Sequence, residues 1–158
     1  FSLARLGYSP ELGIDQHFWN KAEKDGKRLM FFEPVDRHMH LLTEMPDDMA
    51  VNMLRLTIRD MKKYSDEPDM IGRVWQQSDT QQFEQMLSEL KSDAPAFYRR
   101  LLTERNDAWL PTIKSLVTGT DNALVIVGAF HLLGDEGLVA QLRRDGYQLS
   151  RLSSVKMR

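Results

Sequence analysis

The amino-acid sequence predicts an α/β protein, a mixed sheet with flanking helices and a helical insert. Three observations carry that expectation. Ala123-Leu-Val-Ile-Val127 runs without a charge to Gly128, the pattern of a strand buried on both faces. Arg28-Leu-Met-Phe-Phe-Glu33 is a second short apolar run, closed by Pro34. Between them lie several amphipathic patterns with helical spacing, an insert over about residues 46–92.

Taken in order, Gly7 to Gly13 is rich in turn residues and reads as a loop. Asp15 can cap a helix running to about Asp25, with Phe18, Trp19 and Ala22 on its apolar face and Gly26 as its stop. After the run ending at Glu33, Val35, Met39 and Leu42 share a helical face until Pro46. The next helix is the strongest. Asp47 and Asp48 complement its positive end and Lys62 and Lys63 its negative end. Pro68 suits the first turn of a helix carrying Met70, Ile71, Val74 and Trp75. Phe83, Met86, Leu87 and Leu90 mark another. A longer helix starts near Pro95, its inward row Phe97, Leu101, Arg105, Trp109 and Ile113. Pro111 is expected to kink or split it. After His131 comes a helix with Asp135 and Glu136 in its first turn, Arg143 and Arg144 in its last, and Gly146 as its cap. Tyr147 to Leu152 alternates like an edge strand.

Composition narrows the class. With 158 residues, 42% hydrophobic and 28% charged, the chain fits one ordinary soluble domain. A net charge of −2 gives no electrostatic case for nucleic acid or an anionic membrane surface. The absence of cysteine removes disulfides and thiolate metal sites. No run approaches the roughly 18 apolar residues of a membrane span. The opening Phe1-Ser-Leu-Ala-Arg-Leu6 has neither an initiator Met nor a signal-peptide pattern, and reads as a fragment or a processed product.

Three polar residues are not required by local structure: Glu33 and His131 after the two apolar runs, and Arg105 within an apolar stripe. Each has an ordinary explanation: a solvated strand end, a hydrogen-bonded loop histidine, an arginine that snorkels or pairs with a buried acid. In open α/β sheets, however, ligands bind at the carboxyl ends of strands. Imidazole and carboxylate together suit a divalent metal with open positions. An arginine beside them could hold a carboxylate or stabilise charge on a substrate oxygen. Two ligands are few for a metal, and no third is evident. His38 and His40, two residues apart on a helix, point in different directions and cannot both join one site. Both read as structural or solvated, as does His17. Core packing accounts for the nine Met residues. There is no nucleophile elbow, phosphate loop, dinucleotide fingerprint or His-Glu-x-x-His.

The blocks Glu104-Arg105-Asn106-x-x-Trp109, Ala123 to Leu138 and Leu142-Arg-Arg-Asp-Gly-Tyr147 resemble the closing part of the TraB/GumN family, which is similar to the TIKI metalloproteases. Upstream, Gly13-Ile-Asp15, Ala22, Gly26-Lys27 and Phe32-Glu33 match the family's earlier stretch more loosely. The resemblance implies the fold of erythromycin-esterase-like and ChaN-like proteins. It also implies a site of two Gly-x-x-His motifs, a Glu and an Arg-Asn pair. Gly128-Ala-Phe-His131 matches the second Gly-x-x-His, Glu33 the Glu, and Arg105-Asn106 the pair. The first Gly-x-x-His has no counterpart, so residues 1–158 are expected to be the C-terminal part of a single such domain, with its sheet incomplete at the amino end. Where the family often has Gln, five residues after the Glu, this chain has His38, and whether it reaches the site stays open.

The expected function is a metal-dependent hydrolase, with peptides as one substrate class. His131 and Glu33 would ligate Mn, Co or Zn, or Glu33 would be the general base. Arg105 would clamp a substrate carboxylate or oxyanion, with Asn106 orienting it. The alternative is a non-catalytic protein binding a peptide or small molecule, since TraB-type members are linked to mating-signal control and surface-polysaccharide clusters. Bacterial relatives imply the periplasm or cell envelope.

Overall fold

The computed structural model describes residues 7–63 and 69–152; Pro68 and the side chain of Leu42 fall outside that description. A short 3-10 turn at Pro10–Leu12 leads into α1 (Ile14–Lys24). Then follow α2 (Val35–Thr43), α3 (Asp47–Lys63), α4 (Met70–Gln77) and α5 (Thr80–Asp93). A rod comes next, made of α6 (Pro95–Tyr98), a π-helical turn (Arg99–Thr103) and α7 (Glu104–Thr118). The chain closes with a 3-10 turn at Ala129–His131 and α8 (Leu138–Arg144).

Local chemistry accounts for most of these boundaries. Acidic residues open α1 and α3 and lysines close them, in the sense the helix dipole favours. Asp79 caps α5, its side chain accepting from the Gln82 N–H at 3.0 Å. Pro95 occupies the first turn of α6, where its missing N–H has no partner to lose.

The mixed α/β sheet is not present: among the described residues there is no strand, and the architecture is helical. The reason lies in the backbone. Ala123–Val127, the run ending at Glu33 and the run from Tyr147 lack regular structure, and none exchanges backbone hydrogen bonds with another. A strand exists only through its ladder, and apolar composition does not supply one. Nor is the Ala123–Val127 run buried on two faces. Leu124 is 68% exposed, and only Val127 packs against the core.

Three further expectations change. Gly13 and not Asp15 holds the cap position of α1, and Asp15 lies inside its first turn. α7 continues through Pro111 without splitting, held on both sides by the buried Trp109 and Ile113. The irregularity in the rod is instead the π turn just before α7. Asp135 and Glu136 precede α8 rather than forming its first turn.

Two apolar clusters organise the molecule. One gathers Trp109, Ile113, Leu138 and Leu142, with Phe32, Val127 and Tyr147 packed against it. The other gathers Leu87, Tyr98 and Leu102, with Phe130 and Leu133 against it. The rod runs through both. Arg105 lies at the junction, between Leu102 of one cluster and Trp109 of the other.

Candidate functional site

Arg105 and Asn106 belong to the first turn of α7, directly after the π turn, a helical irregularity frequent at functional sites. Both are buried, as is His131 on its 3-10 turn. Glu33 enters from the segment before α2. Its neighbour Phe32 stacks on Trp109, ring centroids 5.3 Å apart, so packing of the aromatic pair delivers the carboxylate to the helix. Trp109 also lies 4.5 Å from the His131 ring and 4.6 Å from the Arg105 guanidinium carbon. It forms a common floor under the polar groups.

The structure brings Glu33, Arg105, Asn106 and His131 together. Arg105 holds Glu33 with two hydrogen bonds, Nη2 to Oε1 at 2.5 Å and Nε to Oε2 at 3.3 Å. Its Nη1 donates to the Leu101 carbonyl at 3.1 Å and faces His131 Nε2 at 3.2 Å. Its Nη2 also lies 3.4 Å from His38 Nδ1. His38 Nδ1 donates to Glu33 and so cannot also accept from Nη2, which leaves four of the five guanidinium N–H groups with an acceptor within this chain.

Asn106 settles the state of His131. Its Nδ2 donates to the Glu136 carbonyl at 3.0 Å and approaches the His131 carbonyl at 3.4 Å. Both are acceptors, so the amide oxygen must face the ring, where it lies 2.7 Å from Nδ1. Nδ1 thus carries the proton, and Nε2 presents a lone pair to Arg105. Burial, reinforced by the Arg105 charge and opposed by Glu33, lowers the His131 pKa to about 4, so the ring is neutral at pH 7. Burial pushes the Glu33 carboxyl up, but hydrogen bonds from Arg105 and His38 outweigh it and hold the group below its usual range.

The reading of the other histidines divides. His38 reaches the site, its Nδ1 3.1 Å from Glu33 Oε1, with its side chain half exposed. His40 turns away to pair with Glu44, and His17 is exposed. Trp109 and the Glu136 carbonyl were not singled out from sequence as parts of the site. The signal for Trp109 was present, since it stands four residues after Arg105 on the same helical row. No local pattern marks the Glu136 carbonyl.

The donor set does not fit a divalent ion held by His131 and Glu33. His131 Nε2 faces a guanidinium, both Glu33 oxygens are bonded to that same cation, and a metal there would meet a like charge. Among the described residues, no group of three His, Asp or Glu could hold a metal.

Around this cluster the surface is open. A shallow concavity of about 500 Å³ follows Leu29 to Val35 and reaches Glu33. No helix among the described residues is long and apolar enough to cross a membrane. No match to a curated protein or to a solved structure was found. The model of the TraB/PrgY/gumN family matches residues 1–151, nearly the whole sequence, and the chain therefore belongs to that family.

Proposed function

We propose that this chain carries the proton-accepting part of a hydrolase site, with His131 as the base. The observation behind this reading is the buried, neutral imidazole whose Nδ1–H is fixed by Asn106 and whose Nε2 lone pair faces a charged cluster. A ring so held has one tautomer and one direction in which to take a proton. Arg105 and Glu33 balance each other's charge beside it. With Arg105 against Nε2 the ring is a weak base. A substrate carboxylate or developing oxyanion that draws the guanidinium away from Nε2 both uncovers the lone pair and removes a positive charge that lowers its basicity. His38 already contacts Glu33, so the carboxylate keeps a partner when Arg105 moves.

The test uses the full-length protein and a peptide substrate panel. His131→Gln is expected to lower kcat/KM by roughly 10²- to 10⁴-fold, the range for loss of a general base. Equal hydrolysis by wild type and variant removes the proposal. Adding Mn, Co or Zn to both discriminates further. Stoichiometric binding that His131→Gln abolishes would replace the base with a metal ligand.

A second reading has its own observation. Four of the five N–H groups of Arg105 are satisfied internally, as in a guanidinium that only holds structure. On that reading the chain belongs to a cell-envelope binding protein, and the concavity beside Glu33 receives a peptide or small molecule. Peptide binding without turnover in either protein would favour it.

A further inference from the structure

The long helix α3 has two unlike sides. One is tied to α5: Asn52 Nδ2 donates to the Asp93 carbonyl at 3.0 Å, Arg59 pairs with the Asp93 carboxylate, and Lys63 pairs with Glu89 at 2.9 Å. On the opposite side Val51, Leu54, Ile58 and Met61 stand 48%, 60%, 47% and 70% exposed. Their spacing of three, four and three residues is that of a coiled-coil seam. A continuous aliphatic stripe of this kind marks an interaction surface rather than ordinary scattered exposure.

Charge selects the occupant and its direction. Asp47 and Asp48 stand at the amino end of α3, and Lys62 and Lys63 at its carboxyl end. We propose that α3 pairs antiparallel with α3 of a second copy of this chain. With the two-fold axis near Leu56, Val51 meets Met61 of the second copy and Leu54 meets Ile58. The same register brings Asp48 of each copy alongside Lys62 of the other. A parallel pair would place aspartate beside aspartate and lysine beside lysine, so the charge pattern disfavours it. Arg55 falls beside the axis in both copies, a like-charge contact that limits affinity. The helix is only about 25 Å long at 1.5 Å per residue, so the seam is short and the dimer is concentration-dependent.

The full chain is examined by sedimentation from the low micromolar to the near-millimolar range. The expected result is a monomer–dimer equilibrium that Leu54→Glu with Ile58→Glu weakens at least tenfold, with helicity by circular dichroism unchanged. A wild type that stays monomeric throughout, or a dimer unaffected by the double variant, overturns the proposal. Direction is read by cross-linking, which is clean because the sequence has no cysteine. Equimolar Leu54→Cys and Ile58→Cys chains, oxidised together, are expected to give mainly the mixed disulfide. Predominant same-variant dimers, or no cross-link, contradict the antiparallel seam.

Discussion

Asn106 is the residue on which the candidate site turns. It is 1% exposed and spends its amide on three neighbours, the His131 ring and the carbonyls of His131 and Glu136. Asn106→Ala leaves a buried ring N–H and two carbonyls without that partner. The expected loss is about 2–3 kcal/mol, within the range for buried groups stripped of hydrogen bonds. Urea denaturation of wild type and variant measures it, and a difference under about 0.5 kcal/mol, the level of ordinary surface substitutions, would mean that Asn106 does not organise the site. Arg105 was legible in the sequence because helical periodicity is local. A polar residue in the row Phe97, Leu101, Trp109, Ile113 announces itself from neighbours four positions away. Periodicity could not name its partners, because Glu33 and His131 lie 72 and 26 residues away along the chain; they were grouped with it through the strand-end argument and the family resemblance instead. His38 went unresolved for the same reason. Its pairing with Glu33 depends on how the turn at Pro34 directs α2, which residue spacing alone does not specify.

At the scale of elements, the loop from His131 to α8 has to close tightly to offer the Glu136 carbonyl to Asn106. Gly137 is where it closes. A Cβ added there would stand 2.3 Å from the Leu133 carbonyl oxygen, a backbone atom that cannot swing away. Gly137→Ala is therefore expected to destabilise the protein by about 1–3 kcal/mol, the range for local backbone strain. It should also perturb the His131 and Asn106 resonances in an NMR spectrum. An alanine variant with wild-type stability and spectrum would contradict the tight closure. Helices were largely readable from sequence, since caps, dipole-matched charges and apolar rows are properties of contiguous residues. The two apolar runs and the alternating stretch Tyr147 to Leu152 read as strands in the sequence and form none in the structure. Whether such a run becomes a strand is decided by a remote ladder partner, and Leu124 and Val125 carry no information about one. Glu33 and His131 were placed together on the argument that strand ends converge. They do meet, but the Phe32–Trp109 stack and the Asn106–His131 hydrogen bond bring them there, and no sheet is involved.

For the whole molecule, the buried imidazole ties stability to pH. His131 has its pKa lowered from 6.5 to about 4 in the folded state. Below about pH 6.5 the unfolded chain takes up a proton that the folded chain refuses, so stability falls as pH drops from about 6.5 to about 4 and this contribution levels off below that. With the ring only 6% exposed, the loss reaches up to about 3 kcal/mol. Glu33, whose carboxyl is held low, adds a loss only at more acidic pH, below its unfolded pKa. His131→Gln retains the Glu33 contribution and removes the other. Denaturation of both proteins across that pH window therefore isolates the histidine. Parallel curves would mean that His131 titrates alike folded and unfolded.

The most direct measurement is a pH titration of the His131 ring nitrogens by ¹⁵N NMR. A single Nδ1–H tautomer at neutral pH, persisting until protonation near pH 4, is the predicted result. A ring that protonates near 6.5, or that divides its proton between Nδ1 and Nε2, would contradict the geometry from which the proposed chemistry is derived.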